Sequence, residues 1–180
     1  MLDIVTLPTK SLREKSKEID LDFLLSTETQ KLIDEMILKM YKSDGIGLAA
    51  PQVGHNIRIC IIGKDYEKKM KEDLILINPT WIKTSKKKNT EMEGCLSVPY
   101  TFGKVVRLTN IDVEALDRQG NKISFSAKKF LARVIQHEVD HLDGILFVDK
   151  ATDICKEEMD TGMSNLVCPA DLEAEHSLKI

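Results

Sequence analysis

Gln136-His137-Glu138-Val139-Asp140-His141 is the stretch on which the reading of this chain turns. It lies in an apolar-periodic run that begins near Ser126, where Phe130, Leu131, Val134 and Ile135 recur at helical spacing and Gly144 follows the last turn. Ser126 is the expected helix cap. On such a helix residues four apart stand one above the other, so His137 and His141 share a face with Cβ atoms about 6 Å apart. Two imidazoles so placed can grip one metal ion. Glu138 lies roughly 100° further round, badly placed for a third ligand but able to touch a water on the metal. That is the logic of an HExxH pattern. The same residues can also be packed, hydrogen-bonded histidines, so the pattern needs a further ligand and a cleft from elsewhere in the chain.

Composition narrows the classes. With 180 residues, 42% hydrophobic and 31% charged, the chain suits one globular domain with a substantial core. A net charge of −3 and a pI near 5.9 argue against a general nucleic-acid binder. No apolar run approaches the roughly 20 residues that span a bilayer, and MLDIVTLPTK lacks the pattern of a targeting segment. The expectation is a cytoplasmic protein without a membrane or specific nucleic-acid partner. Cys60, Cys95, Cys155 and Cys168 do not suggest a disulfide framework in a chain of this size, so each reads as a small hydrophobe, a bystander or a metal ligand.

Upstream of the helix, Leu2 to Ile19 reads as an extended arm. Thr27 and Gln30 suggest a capping box for an amphipathic helix carrying Leu32, Ile33, Met36, Ile37 and Met40, which ends at Ser43-Asp44-Gly45. Its methionines read as core rather than as soft ligands. Gly45-Ile46-Gly47-Leu48-Ala49-Ala50-Pro51-Gln52-Val53-Gly54 lacks the lysine and the strand–helix context of a phosphate loop. It is either a tight, closely packed turn or the wall of a peptide cleft into which Gln52 offers an amide. Arg58 to Gly63 reads as a buried strand with Cys60 in the core, and Leu74 to Ile77 as a strand that stops at Pro79. Trp81-Ile82-Lys83 suggests a hairpin with Lys86, Lys87 and Lys88 in its turn.

In Glu91-Met92-Glu93-Gly94-Cys95-Leu96-Ser97-Val98-Pro99, Gly94 permits an unusual backbone beside the thiol. Acidic neighbours raise a thiol's pKa, whereas a cation lowers it, so Cys95 is either a third metal ligand or a loop cysteine without a role. Lys104–Leu108, Ile111–Leu116 and Lys122–Phe125 alternate as antiparallel strands around the turn Asp117-Arg118-Gln119-Gly120. Ile145 to Val148 reads as a short strand, and Ala151 to Met159 as a helix before a loosely ordered tail that holds Cys168 and His176.

Three stretches stand in order: GIGLAAPQ at 45–52, EGCLS at 93–97 and QHEVDH at 136–141. Together they resemble the three signature motifs of the peptide deformylases, over roughly residues 2 to 150. The resemblance implies an α+β fold, with antiparallel or mixed sheets around a central helix that bears HExxH. It implies a single catalytic domain over 1–150, with 151–180 as a partly helical or loosely ordered extension. It makes Cys95, His137 and His141 the ligands of one divalent ion, ferrous iron natively, with zinc, nickel or cobalt able to replace it. The implied reaction removes the N-formyl group from the N-terminal formyl-methionine of nascent proteins and releases formate. Water on the metal is the nucleophile, Glu138 the general base and acid, and the Gln52 amide and the Leu96 backbone N–H stabilise the oxyanion. Ile46, Gly47, Glu93 and Gly94 are implied to bind the substrate as an added strand. Ile46, Phe130, Val134 and the His137 ring would line the methionine pocket. By charge and motif position, Asp140 is expected to pair with Arg107 behind the site.

Two features depart from the family pattern. Where many members place an arginine after EGCLSVP, this chain reads Tyr100-Thr101-Phe102-Gly103, with Phe102 as an apolar alternative. The segment from Asp160 is broken and acidic rather than the long basic helix that can dock family members on the ribosome, so docking by that route is not to be assumed, while a transient ribosome association stays open as a partner. Two rival readings remain. A zincin-type endopeptidase would need a downstream third ligand, and His176 is the only later histidine. A formyl-peptide binder without turnover would have no need of Glu138 as a base.

Overall fold

The computed structural model describes residues 2–66, 70–160 and 163–168. Its elements are α1 (Leu21–Leu25), α2 (Thr27–Lys42), β1 (Gly47–Ala49), β2 (Ile59–Ile62), β3 (Leu74–Lys83), β4 (Lys88–Cys95), β5 (Val98–Leu108), β6 (Asn110–Leu116), β7 (Lys122–Lys128), α3 (Lys129–Leu142), β8 (Thr152–Asp160) and β9 (Met163–Val167). The strands form two antiparallel sheets, β1-β2-β3-β6-β7 and β4-β5-β8-β9. This is the α+β arrangement expected from the sequence, with the HExxH helix at its centre.

The period-2 alternation of strands places the two long helices on opposite faces of the first sheet. In β2, Cys60 and Ile62 face the cluster built on α3, while Ile59 and Ile61 face the cluster built on α2. Leu74 and Leu76 of β3 join the α3 side, Ile75 and Ile77 the α2 side. A strand covered on both faces is continuously apolar, which is why Ile59-Cys60-Ile61-Ile62 shows no polar alternation. Ile33, Met36 and Met40 are fully buried on α2. The core reading of those methionines is the one the packing supports, and trimming either to Ala would cost about 2–5 kcal/mol.

Local expectations are corrected at several points. Ser26, not Thr27, caps α2, its side chain accepting from Thr29 N. Ser126 lies in β7, where its hydroxyl donates to Asp112, and α3 begins after Lys128 with no side-chain cap. Its start is held instead by Lys129 N–H donating to Thr109 O at 2.7 Å. Strand β3 does not stop at Pro79, because a register shift between Ile77 and Thr80 places the proline in a bulge where no ladder donor is needed. Asn78, at φ +49, then turns its side chain to the backbone of Ile19 and pins the N-terminal arm. The Trp81–Lys88 hairpin does not form: β3 pairs with β6 and β4 with β5, so Lys86 and Lys87 lie on the crossing between sheets. Thr109 N–H donates to Lys87 O where the chain crosses back.

Beyond α3, Phe147–Asp149 is a 3-10 turn rather than a strand. The segment read as helix from Ala151 is β8, which extends the second sheet by pairing with β5, and β9 follows it. Cys155 and Cys168 form a disulfide, against the expectation of no disulfide. Thr152 and Ile154 are strand formers at alternate positions, and pairing with β5 decides the segment as a strand. His176 lies outside the described residues. Among the described residues no helix is long and apolar enough to cross a membrane.

Candidate active site

Three elements converge where the HExxH helix meets the end of β4. α3 carries His137, Glu138 and His141, the last residue of β4 is Cys95, and the 3-10 turn Ala50–Val53 carries Gln52. The ring centroids of His137 and His141 stand 5.0 Å apart, and Cys95 Sγ lies 3.2 Å from His141 Nε2. One potential ligand atom from each of Cys95, His137 and His141 falls within 4.8 Å of the others. A thiol and two imidazoles form a set that suits several first-row divalent ions.

The surroundings fit a cation there. Glu93 Oε2 lies 2.9 Å from His137 Nδ1, a carboxylate–histidine contact that fixes the ring and leaves Nε2 as the nitrogen that could meet a metal ion. Burial pushes His137 down, but hydrogen bonds to Cys95 and Glu93 outweigh it and hold the imidazole at about 10. His141, more deeply buried, is driven well below the usual histidine range by desolvation and by His137. Glu138 is buried with Oε2 lacking any hydrogen-bond partner among the described residues. Desolvation lifts its carboxyl to about 7, where a carboxylate can take a proton and return it near neutral pH.

Gln52 is oriented by the backbone. Ala49 N–H donates to its Oε1 at 2.8 Å, which commits Nε2 to the other side, 3.5 Å from Cys95 Sγ and 3.3 Å from Ser97 Oγ. A donor thus points beside the metal-ligand set. Gly47 leaves room for Glu138: a Cβ at this position would collide with the carboxylate. Gly94 also serves space rather than an unusual backbone, since the Phe102 ring lies 2.8 Å from where its Cβ would be and its φ is not left-handed.

Behind the ligands, Glu93 is the centre of a buried ion network. Arg107 meets it through two parallel bonds, Nε to Oε1 at 3.0 Å and Nη2 to Oε2 at 2.9 Å. Arg133 Nη1 reaches Oε1 at 2.5 Å. Burial alone would raise Glu93, but Arg107 and His137 hold its carboxyl well below the ordinary range. Asp140 contacts Arg107 as expected, and Lys150 Nζ lies 2.7 Å from both its oxygens. Arg133 and Lys150 were not singled out in the sequence. For Arg133 a signal exists: it stands one helical turn before His137, on the face that carries the ligands.

A cleft of about 560 Å³ opens over these groups. Among the described residues β1 is the outer strand of one sheet and β4 of the other, so neither is paired with a further strand on its outer side, although Ala49 N–H is taken by Gln52 and Asn89 O by Arg133. Ile46 and Phe130 stand at the mouth, 43% and 42% exposed, and Val134 lies buried further in. Leu96 lines the same cleft. The structure therefore brings together every residue singled out for the site, with Asp140 and Arg107 beneath it. Ser97, fully buried against Gln52, is an addition that sequence reasoning missed.

The sequence model of the family described as polypeptide deformylase matches residues 1–157. A peptide deformylase of Hydrogenovibrio crunogenus is 46% identical over 148 residues, 82% of this chain and 84% of its own. The chloroplastic peptide deformylase 1B of tomato, Solanum lycopersicum, is 42% identical over 92% of this chain, which spans only 57% of that relative's length. Among solved structures, the Acinetobacter baumannii class I type b peptide deformylase bound to Met-Ala-Ser is similar at TM-score 0.77 and 32% identity, over 83% of this chain and 97% of that one. Arabidopsis thaliana peptide deformylase 1B with an inhibitor gives the same TM-score, 0.77, at 40% identity over 84% and 82%.

Proposed function

This chain belongs to the polypeptide deformylase family, and from that premise we propose that it hydrolyses the formyl amide at the N-terminus of newly made polypeptides, yielding formate and a free amine. Cys95, His137 and His141 would hold one divalent ion, ferrous iron in the native protein, with zinc, nickel or cobalt as substitutes. When bound, the ion supplies a Lewis acid and a water acidified to near-neutral pKa. The protein's own groups do the rest. Glu138 Oε2 takes the proton of the attacking water and passes it to the amine nitrogen as the C–N bond breaks. Gln52 Nε2 and the Leu96 N–H donate to the formyl oxygen as charge grows on it.

The observation that carries this reading is the buried Glu138 Oε2, without a hydrogen-bond partner among the described residues, next in sequence to His137 of a Cys/His/His cluster whose candidate ligand atoms lie within 4.8 Å of one another. The substrate lies as an extra strand between the outer edges of β1 and β4, contacting Gly47 on one side and Glu93-Gly94 on the other. Its methionine side chain enters the space bounded by Ile46, Phe130, Val134 and the His137 ring. That the Acinetobacter relative is bound to Met-Ala-Ser supports a short methionyl peptide as ligand. We place the reaction in the cytoplasm, within one catalytic domain, with any ribosome contact transient.

The test is formate release from formyl-Met-Ala-Ser by protein prepared anaerobically with iron, with metal content assayed on the same sample. Glu138→Ala is expected to reduce kcat by about 10²–10⁴. A full rate in that variant would overturn the assigned roles. Cleavage of an internal peptide bond instead of the formyl amide would favour an endopeptidase.

A further inference from the structure

We propose that Tyr100 determines specificity for the residue that follows the formylated methionine, selecting aromatic and long aliphatic side chains; this rests on the deformylase reading. The local backbone supplies the first argument. Between β4 and β5, Cys95 is opposite Val98 while Gly94 is opposite Phe102. One step along β4 thus spans four along β5, and Pro99, Tyr100 and Thr101 stand out as a bulge next to Cys95. Bulges beside active sites re-aim a side chain. Thr101 pins this one, donating from Oγ1 to Pro99 O at 3.2 Å and pairing with Lys156 of β8 on the far side.

At the tip Tyr100 has φ +57, a left-handed conformation that is an outlier for a bulky residue. Core packing does not hold it there, because the residue is 66% exposed. It lines the same cleft as Cys95, His137 and Glu138. The bulge accounts for that backbone and leaves an aromatic residue at the rim of the cleft, where an outlier of this kind motivates a ligand contact. Met92, 42% exposed, and Phe102, packed on Gly94, continue the apolar surface on the β4–β5 side of the cleft.

The alternation of an extended peptide assigns the contact. If the first side chain enters the pocket lined by α3, through Phe130 and Val134, the second points to the opposite side. The rim offers it Tyr100. An aromatic or branched aliphatic group against the phenol ring gains contact that glycine, serine or aspartate does not, worth roughly three- to tenfold in binding.

Formate release is measured for formyl-Met-X-Ser with X as Phe, Leu, Gly and Asp, and for formyl-Met-Ala-X with the same set. The wild type is expected to favour Phe and Leu over Gly at the second position by about three- to tenfold in kcat/KM, mainly through KM. In Tyr100→Ala that ratio falls to near one, whereas Tyr100→Phe keeps it. Tyr100→Gly, which suits a left-handed φ, loses the ratio while its thermal midpoint rises. The proposal is overturned if the wild type shows no second-position preference, if Tyr100→Ala and Tyr100→Gly retain it, if Tyr100→Phe loses as much as Tyr100→Ala, or if only the third position responds. Absence of formate from every peptide with the metal-loaded wild type overturns the deformylase reading and this proposal together; robust wild-type turnover with any of the other results removes Tyr100 alone.

Discussion

At Gly47 the atoms of a side chain and the carboxylate of Glu138 compete for one volume. From the sequence, GIGLAAPQ was equally a tight turn or a cleft wall, because small residues signal close approach without saying what approaches. The structure supplies the neighbour. Gly47→Ala should therefore displace Glu138 and lower kcat at least about hundredfold, the size of a lost general base. The overpacking should cost about 1–3 kcal/mol in stability. Chemical denaturation and formate assays on the same protein would check this, and full activity with an alanine at this position would contradict the placement of the base. Gly94 is a parallel case, read as backbone freedom but required for the Phe102 ring.

Strand β4 is paired with β5 along its length, and the ion network it carries ties it to α3. Glu93, 6% exposed at its side chain, is bonded to Arg107, Arg133 and His137. Its carboxyl is depressed in the folded protein, whereas an unfolded glutamate titrates near 4.3. The folded state therefore binds fewer protons in that range, so the stability from Glu93 is present above about pH 4.3 and is lost as pH falls toward the depressed folded value. Glu93→Gln should cost about 3–5 kcal/mol at pH 7, and its deficit against the wild type should shrink in acid. Urea unfolding of both proteins from pH 7 to pH 3 measures this; a constant deficit would show that charge is not the cause.

The β8–β9 hairpin is held to itself by the Cys155–Cys168 bridge across a sequence separation of 13. Closing a loop of that order contributes about 3 kcal/mol. Reduction should speed amide exchange in β8 and β9 by roughly a hundredfold and leave α3 unchanged. Mass-spectrometric exchange with and without reductant checks it. In a reducing cytoplasm the bridge would be open and the hairpin correspondingly looser.

Across the whole molecule, the candidate metal ligands come from separate layers: Cys95 from the edge of the second sheet, His137 and His141 from the helix packed on the first. An ion bound by all three joins the layers and binds only the folded state. Its removal by a chelator should lower stability by about 4 kcal/mol where metal had stood at a thousandfold over its Kd, and reloading should restore the midpoint. Thermal unfolding of metal-loaded and chelated protein decides it, and identical midpoints would argue against this ligand set.

What the sequence determined by itself is whatever depends on neighbours along the chain. The helical spacing of His137, Glu138 and His141, the apolar faces of α2 and α3, and the unbroken apolar β2 follow from periods of 3.6 and 2, which are local properties. The motif order added the family and, through it, Cys95 and Gln52. Only the tertiary structure decided which strands share a sheet, that β3 runs through Pro79, that Thr152–Asp160 and Met163–Val167 are strands bridged by a disulfide, and that Arg133 and Lys150 complete the charges behind the Cys/His/His cluster. These depend on pairings between residues far apart in sequence. Their energies come from the partner that arrives, and no local pattern records which partner that is.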